Sequence, residues 1–383
     1  MKDLKITVLG TRRAVAFCPV SAHVKRPPQE LEGAVLTDAA RDAPVPFQTS
    51  PATDGATVHW IVDALAAGQE RRYVLRSSGA APASSVVEVR QEDEAHVGVR
   101  IGGELFTRYI YGPGVPKPCL YPLVGPFGQG VTRGYPQEEM SGDSTDHVHQ
   151  RSLWTAWGDV NRSDNWSEEP GHGRMLHRRL DHVQSGPVFG RLVSTNDWVD
   201  VAGKGLMQDN LEYVFYNTPP AFRLFDLNAT FHATDGDARF GDTKEGGILS
   251  IRVASAMEGN RGGRIENALG AVAEAETWGK RASWCDYSGR VGHHVVGIAV
   301  FDHPANLRYP TYWHVRDYGL MTANPFGLSH FEGQGADGSY VLAAGRKLAF
   351  RYRVLVHAGG AEEGRVRDKY LEYVFAPSVT VQE

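Results

Sequence analysis

The sequence predicts a mainly β protein, a large antiparallel β-sandwich preceded by a small N-terminal one, on three observations. Forty-three glycines and 21 prolines interrupt the chain so often that long helices have little room. Between those breaks, apolar and polar residues alternate with period two, as half-buried strands require. A run of small residues, SSGAAPASS at 77–85, has the composition of an exposed turn or linker.

In chain order, LKITVLG, TVHWIVDAL and QERRYVLRS supply strand-like pieces before that run. A boundary at 78–85 therefore separates a small sandwich, 1–80, from a larger β unit, 85–383. One continuous sandwich whose first strands complete an edge is the alternative. Period-two patterns follow at 86–90, 97–101, 105–111, 249–253, 295–301 and 348–356. The clearest is FRLFDLNATFHAT, 222–234, where Phe225, Leu227, Ala229 and Phe231 share one face and Asp226, Asn228, Thr230 and His232 the other. The first face is core; the second meets water or ligand. A helix fits only locally, at 365–375, where Val366, Tyr370, Tyr373 and Val374 form an apolar stripe.

Composition narrows the function. No stretch approaches the roughly 20 apolar residues of a membrane span, and MKDLKITVLG is no signal segment, so a cytoplasmic location is expected. Cys18, Cys119 and Cys285 are too few and too scattered for a disulfide framework or a paired-cysteine zinc site, and are expected to be reduced, buried thiols. The net charge of −5, with lysine and arginine dispersed, gives no footprint for nucleic acid or anionic lipid, so a small ligand is expected. The oligomeric state stays open, a homo-oligomer included.

Four segments concentrate chemistry. In TDHVHQRSLWTAWGDVN, 145–161, His147 and His149 would share one face of an extended strand, about 6.5–7 Å apart at the backbone. They can hold a metal or work as acid or base, with Asp146 orienting a ring and Arg151 clamping a carboxylate or polarising a carbonyl. The bland alternative is an Arg–Asp pair on a loop. In GDTKEGG, 241–247, Lys244 and Glu245 stand at a Gly-Gly turn before ILSIRVA. Glu245 can serve as base or ligand and Lys244 can stabilise an oxyanion or enolate, although such turns are often simply solvated hairpins. In WGKRASWCDYSG, 278–289, Asp286 and Tyr287 suggest a polar pocket between aromatic walls; of the adjacent His293 and His294 at most one should face it. In PTYWHVRDYGLMTANPFG, 310–327, His314 and Arg316 share a face opposite Trp313, and a histidine satisfied by buried backbone is as good a reading as a partner for His147 and His149.

The mixture suits a sugar, whose C–H face packs on aromatic rings while its hydroxyls bond to charged groups. Tyr111, Trp154, Trp157, Asp286, Tyr287, Trp313, Arg316 and Asn324 are the expected substrate contacts. No dinucleotide fingerprint, phosphate loop or Gly-x-Ser-x-Gly elbow occurs, so no nucleotide cofactor is expected.

The ordered motifs RYIYGPGVPKPCLYPL, DHVHQRSLWTAWGDVN, FGDTKEGG, WCDYSG and WHVRDYGLMTANPFG, spanning about 108–331, resemble a bacterial family catalogued as methane oxygenase PmoA. Where that family shows His-His-Arg-Gly, this chain has His149-Gln150-Arg151-Ser152, so Gln150 stands in place of a second histidine. Particulate methane monooxygenase is an integral membrane enzyme, and without a spanning segment here the label carries no weight as chemistry. The resemblance implies a galactose-mutarotase-like supersandwich and, from the sugar dehydrogenases and isomerase-like barrels encoded beside such members, a place in sugar catabolism.

The expected function is a carbohydrate lyase or hydrolase that cleaves or rearranges a glycoside or keto-sugar by general acid-base chemistry. His147 or His149 would move a proton, Glu245 would be the second acid or base, and Lys244 with Arg151 would stabilise charge. One divalent metal, if used, would be held by His147, His149, Glu245 and His314. A metal-free mutarotase or epimerase and a non-catalytic sugar-binding protein are the rivals, with an oxygenase a distant fourth.

Overall fold

The computed structural model describes residues 3–77, 79, 83–333 and 335–382. It is mainly β, and its strands pair antiparallel in several sheets. Residues 78, 80, 81 and 82 of the expected boundary lie outside the described residues.

Two large sheets make the main sandwich. One has eight strands in the order Arg174–Gln184, Phe189–Val199, Gly205–Tyr216, Phe222–His232, Lys347–Ala358, His294–Asp302, Trp284–Val291 and Arg264–Asn267. The alternation at 222–234 sets its faces: Phe225, Leu227, Ala229 and Phe231 are fully buried, while Asp226, Asn228 and Thr230 point outward and are half-buried. The other sheet has nine strands, with Tyr312–Val315, Leu320–Asn324, Gly246–Arg252 and Leu153–Trp157 as consecutive neighbours near one edge. The inner faces meet through aromatic rings: Phe106 packs edge-on against Phe215 (5.9 Å) and Phe225 (5.7 Å) across the core.

A smaller pair of sheets carries a second core that includes Leu4, Ile6, Val58, Trp60 and Leu75. It is not built from the first residues alone. Ser378–Gln382 pairs antiparallel with Leu4–Leu9, so the last described strand sits in the small sheet although a division at 85 assigns it to the larger unit. Val379 and Val381 alternate toward that core, which gives the strand its reason to dock there. The helix Val366–Val374 buries Val366 and Tyr370 against the large sheet, and its Lys369 and Glu372 bond to the backbone of Ala16. The three cysteines are buried and free, and among the described residues no helix is long and apolar enough to cross a membrane.

Candidate functional site

The outer face of the nine-stranded sheet gathers three of the chemistry-bearing segments. Trp313, Val315, Leu249, Ile251, Met321 and Ala323 face the core, so the residues between them, His314, Ser250, Arg252 and Thr322, face out. Two loops fold over this face.

The first loop is shaped by Arg133, whose side chain is wholly buried. It donates to the carbonyl oxygens of Tyr135 (3.1 Å), Ser144 (3.1 Å), Asp146 (2.8 Å), His147 (3.0 Å) and Gln150 (3.0 Å), and to Asp146 Oδ1 (2.7 Å). Pulling those carbonyls toward one cation curls the chain, so 145–149 is not the extended strand that the spacing suggested: His147 takes the left-handed conformation at φ 45°. The two imidazoles still come together, with ring centroids 5.7 Å apart and nearly perpendicular. His147 stacks on Tyr318 (4.8 Å, 8°), and its Nδ1 lies 3.0 Å from Asp146 Oδ2.

The second loop brings Lys244 and Glu245, joined Nζ to Oε1 at 2.5 Å. Asn324 fixes this turn by donating to the carbonyls of Thr243, Lys244 and Gly246, each at 3.1 Å. Asn324 is thus a brace inside the sheet, fully buried, and not a sugar contact. His314 is nearly buried, and its Nδ1 lies 2.8 Å from the Lys244 carbonyl. A carbonyl only accepts, so Nδ1 carries the proton and Nε2 keeps its lone pair. His314 is thus satisfied by backbone, on the turn that carries Lys244 and Glu245.

The electrostatics tie the loops together. Burial pushes His149 down to about 4, with Lys117 and His147 acting in the same direction against Glu168 and Glu245. Burial also pushes His314 down to about 4, against the Lys244 carbonyl and Glu245. For Glu245, desolvation would raise the carboxyl, but the Lys244 hydrogen bond and charge, then His314 and His149, hold it below the ordinary carboxylate range. At neutral pH the cluster holds two neutral imidazoles beside an ionised carboxylate that is about half exposed.

Several expected members stand elsewhere. Trp154, Trp157 and Trp313 are buried in the core, with Trp157 Nε1 donating to Gly241 and Trp313 Nε1 to Ala282, so none offers a ring face to a ligand. Arg151 is committed: it grips Glu168 with two hydrogen bonds of 2.6 and 2.7 Å and stays mostly buried. Tyr111 contacts Gln91, Tyr109 and His177 and, among the described residues, shares no contact with His147, His149 or His314. Asp286 is buried against His357 (2.8 Å) on the eight-stranded sheet, and the Tyr287 hydroxyl ties the backbone of Gly259, Arg316 and Asp317. Arg316 does reach the cluster's rim, 5.7 Å from the Tyr318 ring and 3.0 Å from Glu274. Among the described residues no group of three or more His, Cys, Asp and Glu is placed to hold a metal ion. The expected ligands His147, His149, Glu245 and His314 form no such group: His147 faces Asp146, Glu245 is bound to Lys244, and His314 is held by the Lys244 carbonyl.

Arg252, Lys117 and Glu168 went unread. Gln150 accepts from Arg252 Nη1 (2.6 Å), and Arg252 also reaches Asp146 Oδ1 (2.8 Å) and lies 4.9 Å from the Tyr318 ring. A cation in the apolar run ILSIRVA was the readable signal for it. Lys117, buried between two prolines, sits 3.7 Å from Glu168 and donates to the carbonyls of His149 (3.4 Å) and Trp166. No local pattern pointed to Glu168.

The depressed histidines carry a pH signature. His59, in the small sandwich, is also pushed down by burial to about 4. Folding favours the neutral form of such a group, so its contribution is present above about 6.5 and is lost as pH falls toward 4. Asp209 and Asp302, raised by burial to about 7, act in the opposite sense, so the informative quantity is a difference. Between pH 7 and 4.5 the thermal midpoint of His59→Gln is expected to fall less than that of the native chain. Equal slopes would contradict the assignment.

The model of a family of unknown function, DUF6807, matches residues 96–370, and the chain belongs to that family. No curated protein matches. A solved structure described as a protein in glycosyl hydrolase family 38 from Enterococcus faecalis is similar at a TM-score of 0.45 and 9% identity, over 100% of this chain and 47% of that one. The chain thus spans about half that protein's length, and a likeness so slight says nothing of chemistry.

Proposed function

We propose that this member of the DUF6807 family is a carbohydrate-active enzyme that cleaves or rearranges a glycoside or keto-sugar by general acid-base chemistry on the outer face of its nine-stranded sheet. The observation that supports the reading is geometric: His314 Nδ1 holds the Lys244 carbonyl at 2.8 Å, Lys244 holds Glu245, and His147 and His149 lie 5.7 Å apart on the neighbouring loop, so three separate segments supply the ionisable groups of one face. Such a set is what proton transfer at a sugar carbon needs: an ionised carboxylate or neutral imidazole as base, and a cation beside the charge that develops.

In this scheme Glu245 takes the proton, held ionised by Lys244. His149, neutral because it is buried beside Lys117, is the second proton carrier. The Tyr318 phenol and the His147 ring stacked on it form the aromatic wall that Trp154 and Trp157 do not provide. Lys244 stabilises the oxyanion in place of Arg151, which is occupied by Glu168.

The test is turnover by the purified chain of a defined panel, nitrophenyl glycosides and their 3-keto derivatives, followed by product release and by proton exchange in NMR. Release from, or exchange in, at least one class is expected. Binding without turnover throughout the panel would leave a non-catalytic sugar-binding protein as the better reading.

A further inference from the structure

We propose a second ligand site, for an acidic monosaccharide, in a polar groove on the outer face of the eight-stranded sheet. It does not rest on the reaction proposed above. The two faces belong to opposite sides of the sandwich, since Asp226 and Asn228 alternate with core residues of one sheet just as His314 and Arg252 do in the other.

Two cavities, of 620 Å³ and 480 Å³, share Glu212, Asp226 and Asn228 and so form one continuous groove. The small sandwich walls one end through Ser21, Ser50 and His59, and Tyr373 of the helix Val366–Val374 walls the other. A seam that served only to dock the two units would be filled with apolar side chains; this one is left open and sets Arg191, Glu212, Asp226 and Arg353 beside apolar residues such as Val214 and Phe189.

The lining is already ordered. Glu212 accepts from Arg191 Nε (2.5 Å) and from Asn228 Nδ2 (2.9 Å). Asp226 accepts from Arg353 Nε (2.6 Å) and Nη2 (2.9 Å), and from the Tyr216 hydroxyl (2.8 Å). Each carboxylate keeps lone pairs for ligand hydroxyls, and the Asn228 amide oxygen can accept another. Pairing of side chains before a ligand arrives reduces the ordering cost of binding.

Charge selects the class. Arg191 balances Glu212 and Arg353 balances Asp226, which leaves Arg351 in the groove wall without a carboxylate partner among the described residues. A ligand that offers several hydroxyls and one negative charge completes this surface, as a hexuronate does.

The experiment is titration of the intact chain with glucuronate and with glucose, followed by saturation-transfer NMR and calorimetry. Saturable glucuronate binding, tighter than that of glucose, is expected. It should weaken about tenfold in Arg351→Ala and in Asn228→Ala, each losing one hydrogen bond to a charged or hydroxyl group. Thermal midpoints of both variants are recorded to show that the fold is kept. Glu245→Gln should bind glucuronate as the native chain does, which separates this groove from the cluster on the other face. Absence of saturable glucuronate binding, glucose binding as tightly, indifference to both groove substitutions or loss in Glu245→Gln would each overturn the proposal.

Discussion

Glu245→Gln is expected to turn over the responsive substrate about 10²- to 10⁴-fold more slowly than the native chain, the range attributed to a positioned general acid or base. Glutamine keeps the shape and can still accept from Lys244, so what is removed is the capacity to take a proton. Because Glu245 is about half exposed, the change should cost little stability, within about 0.5 kcal/mol as is usual for surface positions. Turnover numbers measured beside circular dichroism and a thermal midpoint separate the two effects. His149→Gln tests the partner: a comparable drop places both groups in proton transfer, and native rates in either variant would remove that group from the scheme.

Replacing Arg133 with methionine is expected to destabilise the chain by about 3–5 kcal/mol, the cost of breaking a buried, fully bonded charge. Five carbonyls would lose this donor, and Asp146 would keep Arg252 and His147. Burial lowers Arg133 to about 10, with Arg252 acting in the same direction, so the side chain remains a cation at neutral pH. Urea unfolding gives the stability change, and amide hydrogen exchange in 135–150 reports whether the loop over the sheet opens first. A loss below about 1 kcal/mol would show that water replaces the guanidinium without difficulty.

The regular elements were legible because their burial repeats locally. The pattern at 222–234 became the strand Phe222–His232, and the stripe at 365–375 became the helix Val366–Val374. Pairing at long range was not legible: Ser378–Gln382 alternates as any short strand does, and nothing in it names Leu4–Leu9 as its neighbour. The same distinction divides the site. Glu245, Lys244, His147, His149 and His314 could be picked out as ionisable groups in aromatic surroundings. The fate of Arg151 depended on Glu168, seventeen residues on, and the tryptophans misled because a strand such as LWTAW, buried on both faces, looks the same in sequence as an aromatic platform.

The pairing of Ser378–Gln382 with Leu4–Leu9 has a bearing on biosynthesis. As the chain leaves the ribosome, Leu4–Leu9 emerges early yet keeps one side unpaired through translation of roughly three hundred further residues. Its completing strand arrives only after the whole large sandwich has been made, so for that interval the nascent chain presents an unpaired β edge that a chaperone or a neighbouring copy can engage.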